Sequence, residues 1–336
     1  MPKAKSLGWI LSAYMLSACV NSSPSFVTAD EAGNSLTKIS ADGNRQTIPL
    51  TVAPHNVQAS TDGKLLLATG MMDMTAGAKN HSSAMMGELL VIDTDYFNSE
   101  AVRYIPLGEH LAHVVTNKSA EIAYITDSAN NRVAVLDIAS GKVLNWIRVG
   151  AFPHGIRLNS VKGEFYTANL KDNTISIVDI ASNKETKRII VGKMPIQVAV
   201  SPDGAKLYVT LAKDTAVAVI DLQTRKKTKT IKVDNTPAQI YADSLGRYMY
   251  VANQGSKTNS GNTLSVIDIA TDKIIKIIHT GNMPHGVVAS SDGQFVYVTN
   301  MADNSVSKID ANSFEVLQTY AVGKLPNGIT LIESEK

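Results

Sequence analysis

The chain has 336 residues, 44% of them hydrophobic and 18% charged, with a formal net charge of +2. That length buries a full core in one large domain or two ordinary ones. The near-neutral balance without basic runs speaks against nucleic acid, whose phosphates need clustered Lys and Arg. No apolar run reaches the roughly 20 residues of a spanning helix, and one cysteine excludes an internal disulfide framework or a multi-cysteine metal knuckle.

In chain order, Lys3 and Lys5 make a basic start, followed by the apolar run from Leu7 to Leu16 and then Ser17-Ala18-Cys19. A charged segment, a short apolar segment and small residues before a cleavage point read as a secretory signal over residues 1–18. Leu16-Ser17-Ala18-Cys19 resembles the bacterial lipobox, which implies that Cys19 is lipidated and becomes the mature N-terminus. The alternative is an ordinary signal peptide cut near Ala18. Acyl chains would anchor the protein to a membrane, at about 0.8 kcal/mol per buried CH₂. Val20 stands where inner-membrane lipoproteins carry aspartate, so the resemblance implies the outer membrane, facing the periplasm. Residues 19–25 then form a short tether.

The rest of the chain is repetitive. A turn ending in proline recurs at Pro54, Pro153, Pro195, Pro237, Pro284 and Pro326, with Leu111 in the same place in a degenerate copy. The usual spacing is 42 residues. A strand ending in aspartate recurs at Asp93, Asp137, Asp179, Asp221, Asp268 and Asp310, and its regularity suggests turn amides rather than chemistry. An aromatic-rich strand ending in Asn or Asp covers Phe165–Asn169, Tyr248–Asn253 and Tyr297–Asn300. In the copy from Gly192 to Val233, strands are expected at 197–200, 206–210, 216–221 and 227–233, split by Ser201-Pro202-Asp203-Gly204 and other turns. Units of about 40 residues with four strands read as propeller blades. Seven copies predict an all-β, seven-bladed β-propeller over residues 26–336. Phe26–Asp30 and Ser35–Ile39 match strands of the last full copy, so N- and C-terminal strands should complete one blade together and remove the open edge.

Tyr297-Val298-Thr299-Asn300, with variants Tyr208-Val209-Thr210 and Tyr250-Val251-Ala252-Asn253, resembles the YVTN-repeat β-propeller family. The resemblance covers about residues 26–332 and implies the fold; it does not imply one function, since related propellers include lactonases, lyases and haem d1-binding proteins.

Departures from the repeat carry the functional signal. His55, His154 and His285 follow the landmark proline, and His110 and His113 flank the matching place in the degenerate copy. These turns should line the mouth of the central channel, with His55, His110/His113 and His154 on three consecutive blades and His285 across the ring. Neutral imidazole is a ligand for zinc, copper and iron; the same residues could equally hydrogen-bond in a wet funnel. Between strands expected at 65–69 and 88–93 lies an insertion with Met71, Met72, Met74, His81, Met85 and Met86. Thioether and imidazole together suit Cu(I), while an adaptable contact surface or plain packing would use methionine too. A Gly/Ser/Asn-rich stretch at 254–261 reads as a flexible loop.

No Gly-x-Ser-x-Gly elbow, cysteine nucleophile or His-Glu-x-x-His helix is present, and Glu109 is the only carboxylate expected near the histidine turns. The sequence therefore reads as a lipid-anchored propeller that binds a ligand, with copper as the first candidate, through a His/Met-bearing face and without catalysis. An envelope-protein scaffold and a metal-assisted lyase or lactonase-like enzyme are the alternatives.

Overall fold

The computed structural model describes residues 23–72 and 86–333. The repeat becomes seven four-stranded antiparallel sheets, so the chain is a seven-bladed propeller. From the channel outward, blade 1 is Pro326–Ile332, Ser25–Asp30, Ser35–Ile39 and Arg45–Pro49. The first and last strands of the chain pair antiparallel from Ser25↔Ile332 to Asp30↔Pro326, which closes the ring as expected. The inner strands of blades 2 to 7 are Val52–Ala59, Leu111–Thr116, Pro153–Asn159, Pro195–Val200, Pro237–Ala242 and Pro284–Ala289. Each touches the inner strands of its two neighbours.

The core is divided among the blade interfaces. One apolar cluster joins Tyr166, Ile175 and Ile177 of blade 4 to Val198, Leu207 and Val209 of blade 5. Another joins Phe26 and Ile329 of blade 1 to Tyr297 and Val306 of blade 7. Alternation along each strand therefore feeds two interfaces at once, which is why the inner strands are apolar on both faces.

The asparagine ending the aromatic strand is structural. Asn300 donates to Ser305 Oγ and Ser307 Oγ, both at 3.0 Å. Asn169 does the same to Thr174 and Ser176, and Asn253 to Thr263 and Ser265. In blade 1 Asp30 takes the place and accepts from Ser35 and Thr37; burial pushes its carboxyl up to about 6 against the pull of those hydroxyls. Blade 5 uses the opposite solution: Leu211 faces Ala216, with Ala218 two residues on, and all three are buried. Blade 6 leaves one loose end, since Asn253 Oδ1 is buried without a partner, a cost that blade 5 avoids.

The recurring aspartates do bind turn amides. Asp179 accepts from Ser182 N at 2.8 Å and Asp268 from Thr271 N at 2.7 Å.

Three expectations change. The inner strand of blade 5 begins at Pro195, two residues early, because the proline itself pairs with Leu211. The second strand of blade 2 runs to Met72, so Met71 and Met72 lie on a strand, opposite Ala53 and Val52. The stretch at 254–261 is a hairpin extension, with Gly255 paired to Ser260, rather than a structureless loop. The charge balance also has a local exception. The outer strand Lys226–Lys232 carries four lysines, yet Lys227, Lys229 and Lys232 donate to the carbonyls of Val191, Asp272 and Asp214 and so tie the edge down.

Asn300→Leu should cost about 2 kcal/mol, since it strands two buried hydroxyls. Adding Ser305→Ala and Ser307→Ala, to copy blade 5, should recover at least half of that loss in urea unfolding.

Candidate metal centre

Every inner strand begins with a register fault. Pro153 pairs with Asn169, but the next paired residue is Ile156, so His154 and Gly155 lie in a bulge. The same shift follows Leu111, Pro195, Pro237 and Pro284, while after Pro54 and Pro326 a single residue is skipped, His55 and Asn327. Bulges re-aim side chains, and here they turn one or two positions per blade toward the channel mouth. The turn before the bulge is fixed: Phe152 takes φ 57°, and its N–H donates to Asn131 Oδ1 at 2.8 Å.

Threonine hydroxyls hold the bulges. Thr126 Oγ1 accepts from His113 N at 2.9 Å in its own blade and donates to His154 O at 2.8 Å in the next. Thr210 bridges Gln197 N and Ala238 O in the same way, and Thr69 donates to Ala112 O.

His55, His113 and His154 come together. One ring nitrogen from each lies within 4.8 Å of the others, and the ring centroids are 4.9 to 5.8 Å apart. His55 and His154 occupy the first bulge position of blades 2 and 4, while blade 3 carries the small Ala112 there and offers His113 from the second position. The Nε2 atoms of His55 and His154 are 3.3 Å apart. His154 Nδ1 lies 3.1 Å from Ile196 O, a carbonyl that can only accept, so Nδ1 carries the proton and Nε2 presents a lone pair. His55 Nδ1 lies 3.2 Å from the Asn327 amide Nδ2 and 3.7 Å from Glu31 Oε1, so it accepts from the amide in one tautomer and donates toward the carboxylate in the other. In the second tautomer the Nε2 lone pairs of His55 and His154 face each other across 3.3 Å, which suits a cation between them; in the first, His55 Nε2–H donates to His154.

Burial would raise the Glu31 carboxyl, but hydrogen bonds from His55 and Asn327 hold it down at about 2, so it is ionised. Burial is also the main cause that pushes His154 down to about 3 and His113 well below the usual imidazole range. A proton is thus a poor occupant for those two rings. Gln197 reaches His113 across the next blade, its Nε2 3.2 Å from His113 Nδ1, while its Oε1 accepts from Val198 N. Gly155 makes that reach possible: a Cβ there would sit 2.0 Å from Gln197 Oε1. His113 Nε2 is buried without a partner.

The other candidates stand apart. His285 Nδ1 lies 3.1 Å from Asn327 O, the link that His154 makes to Ile196, and no other triad contact joins it; burial pushes it down to about 4. His110 packs against Phe152 at 5.3 Å. Met71, Met72 and Met86 lie at the triad end of blade 2, with Met72 and Met86 half exposed. Met74, His81, Met85 and Cys19 lie outside the described residues. The carboxylate at the histidines is Glu31 rather than Glu109, whose backbone N–H instead points to Asp127. Glu31 follows the second strand of blade 1, Ser25–Asp30, in a turn that lies against the inner strand of blade 2 and so reaches His55.

The described residues therefore form a propeller with a buried histidine triad able to coordinate a metal ion. Residues 207–336 match the model of the YNCE-like β-propeller family. The fold is related to those propellers. Curated protein sequences give no match. Among solved structures, Kuenenia stuttgartiensis hydrazine synthase is similar at 17% identity and TM-score 0.71, over 83% of this chain and 89% of that one. A functionally unknown protein from Desulfotomaculum acetoxidans is similar at 14% identity and TM-score 0.76, over 93% and 100%. A putative 6-phosphogluconolactonase from Bacteroides uniformis is similar at 13% identity and TM-score 0.70, over 92% and 99%. At these identities the likeness is one of fold.

Thr126→Val removes both partners of a bridge between two triad histidines and should cost about 2 kcal/mol in urea unfolding, with Thr126→Ser near neutral.

Proposed function

We propose that this chain is a metal-binding propeller of the cell envelope, anchored to the outer membrane through Cys19, whose triad His55, His113 and His154 holds a copper ion without catalysing a reaction. The observation that carries the metal is the convergence of ring nitrogens from His55, His113 and His154 within 4.8 Å of one another, with the Nε2 atoms of His55 and His154 3.3 Å apart. A tetrahedral ion with bonds of about 2.1 Å holds its donors about 3.4 Å apart, close to that separation. Glu31 behind His55 supplies the outer carboxylate that such ligands use. Copper is favoured over zinc because the described residues supply three donors rather than the four of a structural zinc site, and because soft methionine sulfurs share the rim.

Loading requires His113 to present a lone pair. As it stands, the Gln197 amide N–H₂ faces Nδ1 and leaves the proton on Nε2. Turning that amide over puts its carbonyl on Nδ1 and frees Nε2. Three imidazoles with an open position also suit hydrolysis at zinc, which makes a lactonase-like enzyme the second reading.

Competitive titration of the metal-free protein with Cu(I) and Zn(II) tests this. Stoichiometric Cu(I) binding is expected, lost in His154→Phe and weakened about 10- to 100-fold in Glu31→Gln. Gln197→Glu, which offers Nδ1 only acceptors, should tighten it about tenfold. Binding of neither ion below about 1 μM would overturn the metal site. Preference for Zn(II) with lactone turnover would move the reading to the enzyme.

A further inference from the structure

The seven inner strands run on from the histidine end to the opposite mouth of the channel. The residue four past each landmark proline lies in that far half: Gln58, Val115, Arg157, Ala199, Tyr241, Val288 and Thr330, of which only Arg157 is charged. They help to line a cavity of about 850 Å³, a size that suits a small molecule.

Arg157 has nothing to neutralise it. Among the described residues its guanidinium makes no hydrogen bond or ion pair; its one contact is the Tyr241 ring, 5.3 Å from Cζ to centroid. Val115 and Ala199 on the flanking blades have no polar side-chain atoms. Burial pushes the guanidinium below its ordinary range, with Tyr241 pulling slightly the other way. Two carboxylates stand at the rim, but each is already engaged. Asp292 accepts from Ser290 Oγ and Gln294 N, and Glu333 accepts from Ser291 N on both oxygens. A half-buried guanidinium with no counter-ion among the described residues favours an anion beside it, and its planar fork matches a carboxylate through two parallel hydrogen bonds.

We infer that the half of the channel opposite the histidines is a binding site for a small carboxylate, held by Arg157 with Tyr241 as its apolar wall. Carboxylate is chosen over phosphate because the one fork of Arg157 matches a planar carboxylate, and because Asp292 and Glu333 at the rim outnumber the further cation there, Lys118, and oppose a second negative charge. The site shares no residue with the proposed metal centre.

The test is calorimetric titration and thermal unfolding of the metal-free protein with succinate, benzoate and inorganic phosphate at constant ionic strength. Succinate or benzoate should bind and raise the unfolding temperature. Arg157→Lys should weaken that binding about tenfold, because it keeps the charge and loses the fork. Arg157→Leu should abolish it and, without ligand, should unfold at a higher temperature than the native chain, since an uncompensated charge is gone. His154→Phe should bind the carboxylate unchanged, which separates this site from the metal centre. An undiminished response in Arg157→Leu, no response to either carboxylate in the native chain, or tighter binding of phosphate than of both carboxylates overturns the assignment.

Discussion

At the mouth of the channel each inner strand leaves its ladder for one or two residues, and in several blades the hydroxyl of a threonine on the second strand holds the bulge. Thr126 is the instance that matters most: one oxygen accepts from His113 and donates to His154, so two histidines from different blades are set by one atom. The bond joins backbone to side chain, which lets the side chains in the bulge vary while the bulge itself persists. Where histidine enters the first bulge position it can take over the inter-blade link. His154 Nδ1 occupies the Ile196 carbonyl, and Thr167 turns to Asn169 instead. Its second nitrogen is then exposed to whatever the neighbours provide.

What the neighbours provide is decided by size. Ala112 leaves the middle of three consecutive blades open, so His55 and His154 approach across it. Gly155 leaves room for Gln197, which crosses one blade to reach another. A ring of near-identical strands thus becomes asymmetric through two small residues, and the asymmetry builds the triad. His285 shows the default outcome at the same position, a blade-to-blade hydrogen bond.

The fold was legible because its cause is periodic. Proline turns, terminal aspartates and Asn-ended strands recur at a fixed interval since each blade solves the same turn and buried-polar problem, and closure followed from the partial copies at the two ends. The site was legible only in part. His55 and His154 announced themselves by following the proline, but Leu111-Ala112-His113 is shifted by one position, so position alone did not separate His113 from His110. Glu31 is remote in sequence from every histidine and meets His55 only because its turn lies against the inner strand of blade 2. Gln197 looked like an ordinary strand residue, and its role depends on a glycine 42 residues earlier. Contacts made across the ring leave no local pattern. The basic outer strand at 226–232 went unread in the even charge balance; three of its four lysines donate to neighbouring carbonyls.

The channel's two fixed charges act in opposite senses on the triad. Glu31 touches His55 and favours a cation there; Arg157, on the same strand as His154, lowers the affinity of His113 for positive charge. The triad is nearer to its carboxylate, so its balance leans toward a cation, but against resistance from below. An anion on Arg157 would remove that resistance. Linkage makes the effect mutual: whatever an occupant of one half contributes to the affinity of the other is returned in equal measure. With both proposed occupants bound, a channel with a histidine cluster at one mouth and a lone guanidinium in the other half would couple its two ends through the field alone.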